Sequence, residues 1–287
     1  MSRLSIIMAT RNSAQYLSEA LASIEPACAG ENIDTEILLA DGASSDETLT
    51  IAESHPGLRI VSRADGGIYD GMNRAMAAAT GDYAIVLNSD DALLPTAVGR
   101  ALRVIEKAPD CAFVSGGALF GETARNAILR SHPRGLSLEG AMFGIPAINA
   151  RVFRIGALRD IGPIRTDLGL AADREWMARF ACRGMHGCAF DDPLYLYRVH
   201  AGSHTISGDR AGRLRVYQAE QRLADALLAE ATTDAEFRRM ARASRALALL
   251  KQRLCHAPTV PLRDLPMLDL FRGLKLAYRW RGKLSGF

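Results

Sequence analysis

The chain has 287 residues, of which 48% are hydrophobic and 23% are charged, a composition typical of a globular protein with a full core. Disordered, collagen-like and coiled-coil chains are excluded, because each needs a strongly biased composition. The net charge of +3 conceals an asymmetry: residues 1–196 carry 18 Lys and Arg against 24 Asp and Glu, whereas residues 197–287 carry 17 against 8. The acidic body and the basic C-terminal third are therefore expected to face different partners.

The first half of the chain alternates short apolar runs with helical patterns. The predicted strands are Leu4–Ala9, Thr35–Ala40, Leu58–Ser62 and Tyr83–Leu87. Three predicted helices are Ala14–Ile24, Ile68–Ala79 and Pro95–Ala108. A fourth opens with the capping box Ser44–Glu47 and runs through Ile51. This rhythm predicts an α/β fold: a mostly parallel sheet with helices on both faces, whose ligand crevice lies beyond the carboxyl ends of the strands.

The second half is less regular and ends in helices. The predicted strands are Cys111–Ser115, Gly187–Phe190 and Leu194–Val199, with a glycine-rich stretch at Gly116–Gly121 and loop-rich chain to about Gly169. The predicted helices are one that begins near Asp173, then Arg213–Ala229 and Asp234–Cys255, the last opened by a capping box over Thr233–Glu236. We therefore predict a domain over residues 1–205, a helical region over 206–257, and a proline-containing linker with a basic amphipathic tail over 258–287.

The sequence shows no signal of export or of a disulfide framework. No apolar run approaches the roughly 18 residues of a spanning helix, and Leu4–Ala9 is too short for the core of a signal peptide. The five cysteines are odd in number and contain no C-x-x-C pair, which predicts neither disulfides nor a zinc site. We expect a cytoplasmic protein.

Polar residues follow each of the first four predicted strands. Each set alone is consistent with ordinary turn chemistry. Asp90–Asp91 is the sharpest, because adjacent carboxylates repel unless they are solvated, used as a cap or given a cation. Carboxylate oxygens suit Mg²⁺ or Mn²⁺, which bind one or two of them together with the oxygens of a substrate diphosphate. The chain has neither a P-loop nor a G-x-G-x-x-G after the first strand, which leaves nucleotide-sugar chemistry.

Four segments carry a family resemblance. They are Ser5–Asn12, Leu38–Thr48, Asp65–Asn73 and Gly81–Asp91. In order and spacing they resemble the family 2 glycosyltransferases, and in particular bacterial enzymes of O-antigen, capsule and exopolysaccharide assembly. The resemblance spans about residues 4–200 and implies a GT-A fold. It also implies a metal-dependent inverting transferase that moves a sugar from a nucleotide sugar to a glycan or lipid-linked glycan acceptor.

The resemblance implies roles for individual residues around the donor. Thr10 and Asp41 would hold the nucleotide base, with the Asp41 carboxylate accepting from a uracil-type ring N–H, so a UDP-sugar is expected. Asp91 would bind Mn²⁺ or Mg²⁺ at the diphosphate. The remaining nucleotide-binding residues implied by the resemblance are Arg11, Asp65, Asn73 and Asp90.

The segment Ala171–Trp176 resembles the acidic motif that supplies the catalytic base, with Ala172 where many relatives have a second acid. Asp173 is the implied base; the alternative is an N-cap of the helix that follows. Glu175 is the nearest other carboxylate, and Trp176 either lines the acceptor site or packs in the core.

Two further features qualify the resemblance. Tyr197–His200 is similar to the segment that ends the family's domain, where a histidine can complete the metal site, so His200 is a candidate ligand; the alternative is a solvated loop residue. Ile145–Pro146 replaces a His-Gln pair found in many members, so the sugar or acceptor specificity is expected to differ.

Two other interpretations stay open. A sugar-nucleotide nucleotidyltransferase would share the sheet, but it usually has a glycine-rich loop where this chain has Thr10–Asn12. A non-catalytic, transferase-like scaffold would be favoured if Asp91 or Asp173 were absent, and both are present.

The C-terminal tail has its own pair of interpretations. Phe271–Leu284 carries five basic residues and no acid, interleaved with leucines, Tyr278 and Trp280. Such a segment either lies in an anionic membrane interface, which would make the protein peripheral on the inner face of the plasma membrane, or packs on the domain as a helix. No nucleic-acid partner is expected.

Overall fold

The computed structural model describes residues 2–64, 66–131, 136–145, 147–200, 202, 210–230, 235–256 and 265–281. The strands are β1 Ser2–Thr10, β2 Ile33–Asp41, β3 Leu58–Ser62, β4 Tyr83–Val86, β5 Ala92–Leu93, β6 Cys111–Gly121, β7 Ile128–Ser131, β8 Arg151–Arg154 and β9 His186–Arg198. The helices are α1 Ala14–Ala22, α2 Ile24–Cys28, α3 Thr48–Ser54, α4 Ile68–Ala77, α5 Ala97–Glu106, α6 Leu138–Phe143, α7 Ile155–Ile161, α8 Ala172–Cys182, α9 Arg210–Ala229, α10 Ala235–His256 and α11 Met267–Arg281. None of the helices within these ranges is both long enough and apolar enough to cross a membrane.

The chain divides into two compact units. Unit 1 comprises Met1–Gly135, Ala147–Thr166 and Gly184–Val199, and contains the whole sheet. Unit 2 comprises Leu136–Pro146, Asp167–Arg183 and His200–Phe287, and contains α6 and α8 together with the three C-terminal helices. Two internal segments, Leu136–Pro146 and Asp167–Arg183, thus group with the C-terminal helices, so both units are discontinuous in the sequence.

The sheet of unit 1 has the strand order β3-β2-β1-β4-β8-β6-β9-β5, with β7 paired to β6. The four strands β3, β2, β1 and β4 are parallel to one another, which confirms the predicted α/β class. Leu4, Ile6 and Met8 of β1 share one core cluster with residues of α1, α2 and α5. Met72 of α4 is buried outside that cluster, while α4 contacts β1, β2 and β3, so helices cover both faces as predicted.

Two local predictions in the second half of the sheet are wrong. The strand predicted at Cys111–Ser115 ends too early, because β6 continues through the glycine-rich stretch to Gly121. A Cβ at Gly116 would lie 2.7 Å from Leu194 Cβ, so the small residue lets β9 pack closely against β6. The two strands predicted around Asp191–Pro193 form the single long strand β9.

The capping box predicted at Ser44–Glu47 is also misplaced. Helix α3 begins at Thr48, and the Asp46 carboxylate accepts a hydrogen bond from the Thr48 N–H at 3.1 Å. The same carboxylate accepts from the N–H of Ala14 at the start of α1, at 3.1 Å. One acid therefore caps two helices, and hydrogen bonding by Thr48 lowers the pKa of Asp46. The capping box predicted at Thr233 lies outside the described residues.

A buried carboxylate ties the amino ends of three strands together. Glu36 of β2 accepts hydrogen bonds from the Ser5 hydroxyl at 2.6 Å, the Thr80 N–H at 2.6 Å and the Gly81 N–H at 3.1 Å. Burial alone would raise the pKa of Glu36, but the hydrogen bonds from Ser5 and Thr80 outweigh it and the pKa lies below its ordinary value.

Replacing Glu36 by Gln is expected to lower the free energy of unfolding at pH 7 by about 2 kcal/mol, because an amide nitrogen then faces backbone donors. A carboxyl group whose pKa is lowered by folding stabilises the protein above its unfolded pKa, and that stabilisation is lost as the pH falls through the folded value. The difference in the free energy of unfolding between wild type and Glu36→Gln should therefore become smaller below about pH 4.3. Denaturant melts at several pH values measure it; a gap that stays constant down to acid pH would contradict the assignment.

Candidate functional site

The carboxyl ends of β1 and β2 are joined by hydrogen bonds. Thr10 and Asp41 are register partners, and the Gly42 N–H donates to the Thr10 carbonyl at 2.8 Å. Asn12 has a positive φ of 51°. Its N–H donates to Ser44 Oγ at 2.8 Å, and its Oδ1 accepts from the Ser45 N–H at 2.8 Å. The polar residues predicted to follow these two strands are thus brought together.

Two buried polar side chains lie at this junction. Asp41 is fully buried and accepts from the Ser44 N–H at 2.9 Å and from the Ser44 hydroxyl at 2.5 Å. The carboxylate offers about four acceptor positions, so it keeps capacity for another donor. The Thr10 hydroxyl is also buried, and among the described residues it has no hydrogen-bond partner. Buried hydroxyls without a partner are costly, and one at a strand end points to a ligand. Arg11, next in the chain, is exposed.

The loop after β4 reaches the same edge. The Ser89 hydroxyl donates to Ser13 Oγ at 2.8 Å, which joins this loop to the loop after β1. Asp90, the next residue, is half-buried. Three of the four predicted strand-end loops are therefore connected through side chains or backbone.

Asp91 is held inside the protein. It is 1% exposed. Its Oδ2 accepts from the Tyr195 hydroxyl at 2.6 Å and from Asn88 Nδ2 at 2.9 Å, and its Oδ1 accepts from the Arg198 N–H at 2.7 Å. Burial and then the charge of Asp90 raise the pKa of Asp91 to about 7. Both carboxylate oxygens are thus engaged by protein donors.

Asp91 presents almost no surface in this structure, and its role as the metal ligand stays a prediction. The half-buried carboxylate of Asp90 lies beside it, and Asn88 Oδ1 is buried without a hydrogen-bond partner among the described residues. These hard oxygen donors suit Mg²⁺ or Mn²⁺. The described residues contain no cluster of three or more His, Cys, Asp or Glu arranged for a metal.

Tyr195 and Arg198 are site residues that the sequence analysis missed. Besides its N–H bond to Asp91, Arg198 donates from Nε to the Asp90 carbonyl at 3.0 Å and from Nη2 to Glu19 at 2.7 Å. Its guanidinium lies 5.2 Å from the centre of the Tyr16 ring. Arg198 therefore fixes the loop that carries both aspartates. Arg198 lies within the Tyr197–His200 segment, whose family resemblance points only to the histidine, and Tyr195 lies just before that segment.

Asn73 is engaged elsewhere in unit 1. Its Nδ2 donates to the Ile164 carbonyl at 2.7 Å and its Oδ1 accepts from the Ile164 N–H at 2.8 Å. Both ends of the amide thus clamp backbone, and contact with a nucleotide stays a prediction. Asp65 lies outside the described residues.

The proposed base motif forms the start of α8 in unit 2. The N-cap position is Ala171, and Asp173 is the second residue of the helix, so the alternative interpretation of Asp173 as the N-cap is wrong. Asp173 is half-buried, and its Oδ1 accepts from the Arg174 N–H at 2.7 Å. Arg174 is buried and donates to the carbonyls of Ala141 and Gly144 at 2.8 and 3.0 Å, which anchors this helix turn to α6.

The neighbours of Asp173 pack inward. Glu175 is 4% exposed and pairs with Arg179 at 2.8 Å. Trp176 is fully buried, with its ring edge-to-face with Phe180 at 5.3 Å, so it packs in the core and does not line an acceptor groove. His200 is half-buried, and its Nδ1 accepts from the Gly202 N–H at 3.2 Å. A metal-binding role for His200 stays a prediction.

Comparison with known proteins shows which family the chain resembles. Residues 5–159 match the family model described as glycosyl transferase family 2. A PGL/p-HBAD biosynthesis glycosyltransferase of Mycobacterium tuberculosis is 42% identical over 94 residues, covering 31% of this chain and 36% of that protein. The chain thus spans about a third of the length of the mycobacterial relatives it matches. A putative glycosyltransferase of Bacillus subtilis, EpsE, is 27% identical over 237 residues, covering 77% of this chain and 83% of EpsE.

Solved structures share the fold. Staphylococcus aureus TarS 1–349 in complex with UDP-GlcNAc superposes with a TM-score of 0.64 at 17% identity, covering 98% of this chain and 82% of that one. The mannosyltransferase PcManGT of Pyrobaculum calidifontis, in complex with GDP-Man and Mn²⁺, superposes with a TM-score of 0.63 at 20% identity, covering 99% and 83%. Both likenesses confirm the predicted fold class.

Proposed function

The chain belongs to glycosyl transferase family 2, and we propose that it transfers a sugar from a nucleoside-diphosphate sugar to a hydroxyl of a glycan or lipid-linked glycan. The observation that carries this proposal is the hydrogen-bonded junction of the loops after β1, β2 and β4. These loops follow or contain Thr10, Asp41 and Asp90, and the buried Thr10 hydroxyl has no hydrogen-bond partner among the described residues. Both relatives are named as glycosyltransferases, and the mycobacterial one as an enzyme of PGL/p-HBAD biosynthesis, which supports this proposal.

The donor is proposed to be a UDP-sugar. Asp41 is a hydrogen-bond acceptor, and a uracil ring offers an N–H donor. Asp41 is fully buried and bonded to Ser44, so contact with the base requires this loop to open locally. Thr10 would gain a partner for its hydroxyl in the same complex, and exposed Arg11 would lie beside the anionic nucleotide. The complex of TarS with UDP-GlcNAc supports this choice, and the complex of PcManGT with GDP-Man keeps the base open to test.

Asp90 is proposed to hold Mn²⁺ or Mg²⁺, with Asn88 as a neighbouring oxygen donor. A bound divalent cation supplies Lewis-acid stabilisation of the charge that grows on a departing nucleoside diphosphate. Asp91 would act as a positioning residue, since its hydrogen bonds to Tyr195 and Arg198 hold the loop in which Asp90 lies.

Asp173 is proposed as the general base. A carboxylate at this position would take the proton from the acceptor hydroxyl as its oxygen attacks the anomeric carbon, with inversion of configuration. Its half-buried position in the first turn of α8 supports this role, because a carboxylate there interacts favourably with the helix dipole. A nucleotidyltransferase stays the second candidate enzyme, and the loop after β1 disfavours it because Thr10–Asn12 contains no glycine to approach a triphosphate.

Thermal unfolding with nucleotides tests the donor proposal. UDP at about a hundredfold excess over its dissociation constant should stabilise the protein by about 2.7 kcal/mol and raise the melting temperature by several degrees. We expect this shift with Mn²⁺ or Mg²⁺ and a much smaller one with EDTA. Equal shifts with metal and with EDTA would contradict the metal role, and the absence of a shift with any nucleoside diphosphate would contradict the donor site. GDP in place of UDP is the matched control for the base.

A further inference from the structure

Helix α11 has one face packed within unit 2. That face contains Leu270, which is 2% exposed and belongs to a cluster with Ala246 and Leu265. A Cβ at Gly273 would lie 2.5 Å from the Ala243 carbonyl oxygen, so α11 and α10 approach backbone to backbone. This contact fixes the rotation of α11 about its axis and therefore determines which side chains face outward.

The outward face of α11 is apolar. Among the described residues nine large hydrophobic side chains are exposed, and five of them belong to this one helix. Phe271 is 61% exposed and Tyr278 is 80% exposed. The five are Met267, Leu268, Phe271, Leu274 and Tyr278. Positions 267, 271, 274 and 278 recur at intervals of three and four residues and form one stripe along the helix. A contiguous apolar stripe marks an interaction site, whereas scattered exposed residues do not.

Basic side chains run beside this stripe. Arg272, Lys275 and Arg279 recur at intervals of three and four residues, so they line a neighbouring strip of the helix. Arg279 pairs with Glu139 at 3.2 Å and still keeps 66% of its side chain exposed. Arg272 pairs with Asp269, the single acid of the helix, at 3.5 Å, and Lys275 is exposed. The surface therefore combines exposed apolar and aromatic groups with positive charge.

We infer that the outer face of α11 docks onto an anionic lipid bilayer, with its apolar stripe in the interface and its basic side chains on the headgroups. This inference goes beyond the proposed transfer reaction and does not depend on it. Aromatic and leucine side chains beside Lys and Arg are the composition of helices that lie in a membrane interface. Charge complementarity favours a bilayer over a second copy of the chain as the partner of this face. Two such faces pressed together bring like charges near one another, whereas anionic headgroups attract the basic side chains.

Flotation of the full chain with lipid vesicles tests the inference. Binding to vesicles with about a third phosphatidylglycerol should be at least roughly tenfold stronger than binding to pure phosphatidylcholine, and should weaken with salt. The double variant Phe271→Ser, Tyr278→Ser should bind the anionic vesicles at least about tenfold more weakly, as should Lys275→Glu. Ile128→Ser is the matched control, because Ile128 is 58% exposed on β7, and it should bind like wild type.

Two results would overturn the inference. One is equal binding to anionic vesicles by wild type and by the double variant, both shown by circular dichroism to be folded. The other is a wild-type dimer in analytical ultracentrifugation that the double variant disperses, together with no vesicle binding, since that would assign the stripe to a second copy of the chain. Because neither readout requires turnover, failure here is distinct from failure of the proposed transferase activity.

Discussion

Replacing Asp173 by Asn is expected to lower the transfer rate at least a hundredfold while nucleotide affinity stays within a few fold. An amide cannot accept the proton of the acceptor hydroxyl, and general-base catalysis typically contributes about 10² to 10⁴ in rate. Stability should change by less than about 1 kcal/mol, because the Asn side chain still offers an oxygen to the Arg174 N–H and the charge lost near the helix N-terminus is worth a few tenths to about 1 kcal/mol. The measurements are steady-state transfer with a UDP-sugar donor, nucleotide titration and a thermal melt.

The control for this variant has to be chosen from the structure. Glu175, the nearest other carboxylate in sequence, is buried and paired with Arg179, so Glu175→Gln would be expected to change stability as well as any chemistry. Glu236 is exposed and lies in the first turn of α10, which makes Glu236→Gln the better match. Near wild-type transfer by Asp173→Asn, or an equal loss in Glu236→Gln, would show that Asp173 is not the base.

The parallel half of the sheet could be predicted because its signals are local. Strand β1 is apolar from Leu4 to Ala9 apart from Ser5, and every one of those residues is buried, as expected for a strand covered on both faces. The antiparallel half has no such signal. Gly116 reads as a loop residue, and only its contact with Leu194, far along the chain, explains why a strand passes through it.

The candidate site was predictable in position and not in detail. Polar residues beyond the strand ends predicted that the loops following Thr10, Asp41 and β4 would meet, and hydrogen bonds join these loops. Which of those aspartates turns inward could not be predicted, because they are chemically identical neighbours. Tyr195 decides it through a hydrogen bond across 104 positions of the sequence.

The same limit applies to α8. The pattern of Asp173, Glu175 and Trp176 suggests three residues available for chemistry. Tertiary packing buries Trp176 against Phe180 and Glu175 beside Arg179, and leaves Asp173 half-buried. Burial on a single helix depends on what packs against it, and that information lies in distant segments such as α6 and Glu220 of α9, which pairs with Arg174 at 3.9 Å.

Asp90→Asn is expected to abolish most of the metal-dependent stabilisation by UDP and to lower transfer at least about a hundredfold, with little change in stability without nucleotide. Its half-buried carboxylate is the group proposed to face the ion. Asp110→Asn, at an exposed aspartate before β6, is the matched control and should behave like wild type.

Asp91→Asn should give the opposite pattern, because an amide nitrogen in place of one buried oxygen would face the Tyr195 hydroxyl and Asn88 Nδ2 or the Arg198 N–H. An unsatisfied or opposed buried donor costs about 1–3 kcal/mol, so this variant should melt several degrees lower even without nucleotide. Melts of both variants with UDP and either Mn²⁺ or EDTA separate the two roles. If Asp91→Asn instead melts like wild type and alone loses the metal-dependent shift, Asp91 is the ligand after all, and the loop must rearrange to expose it when the nucleotide binds.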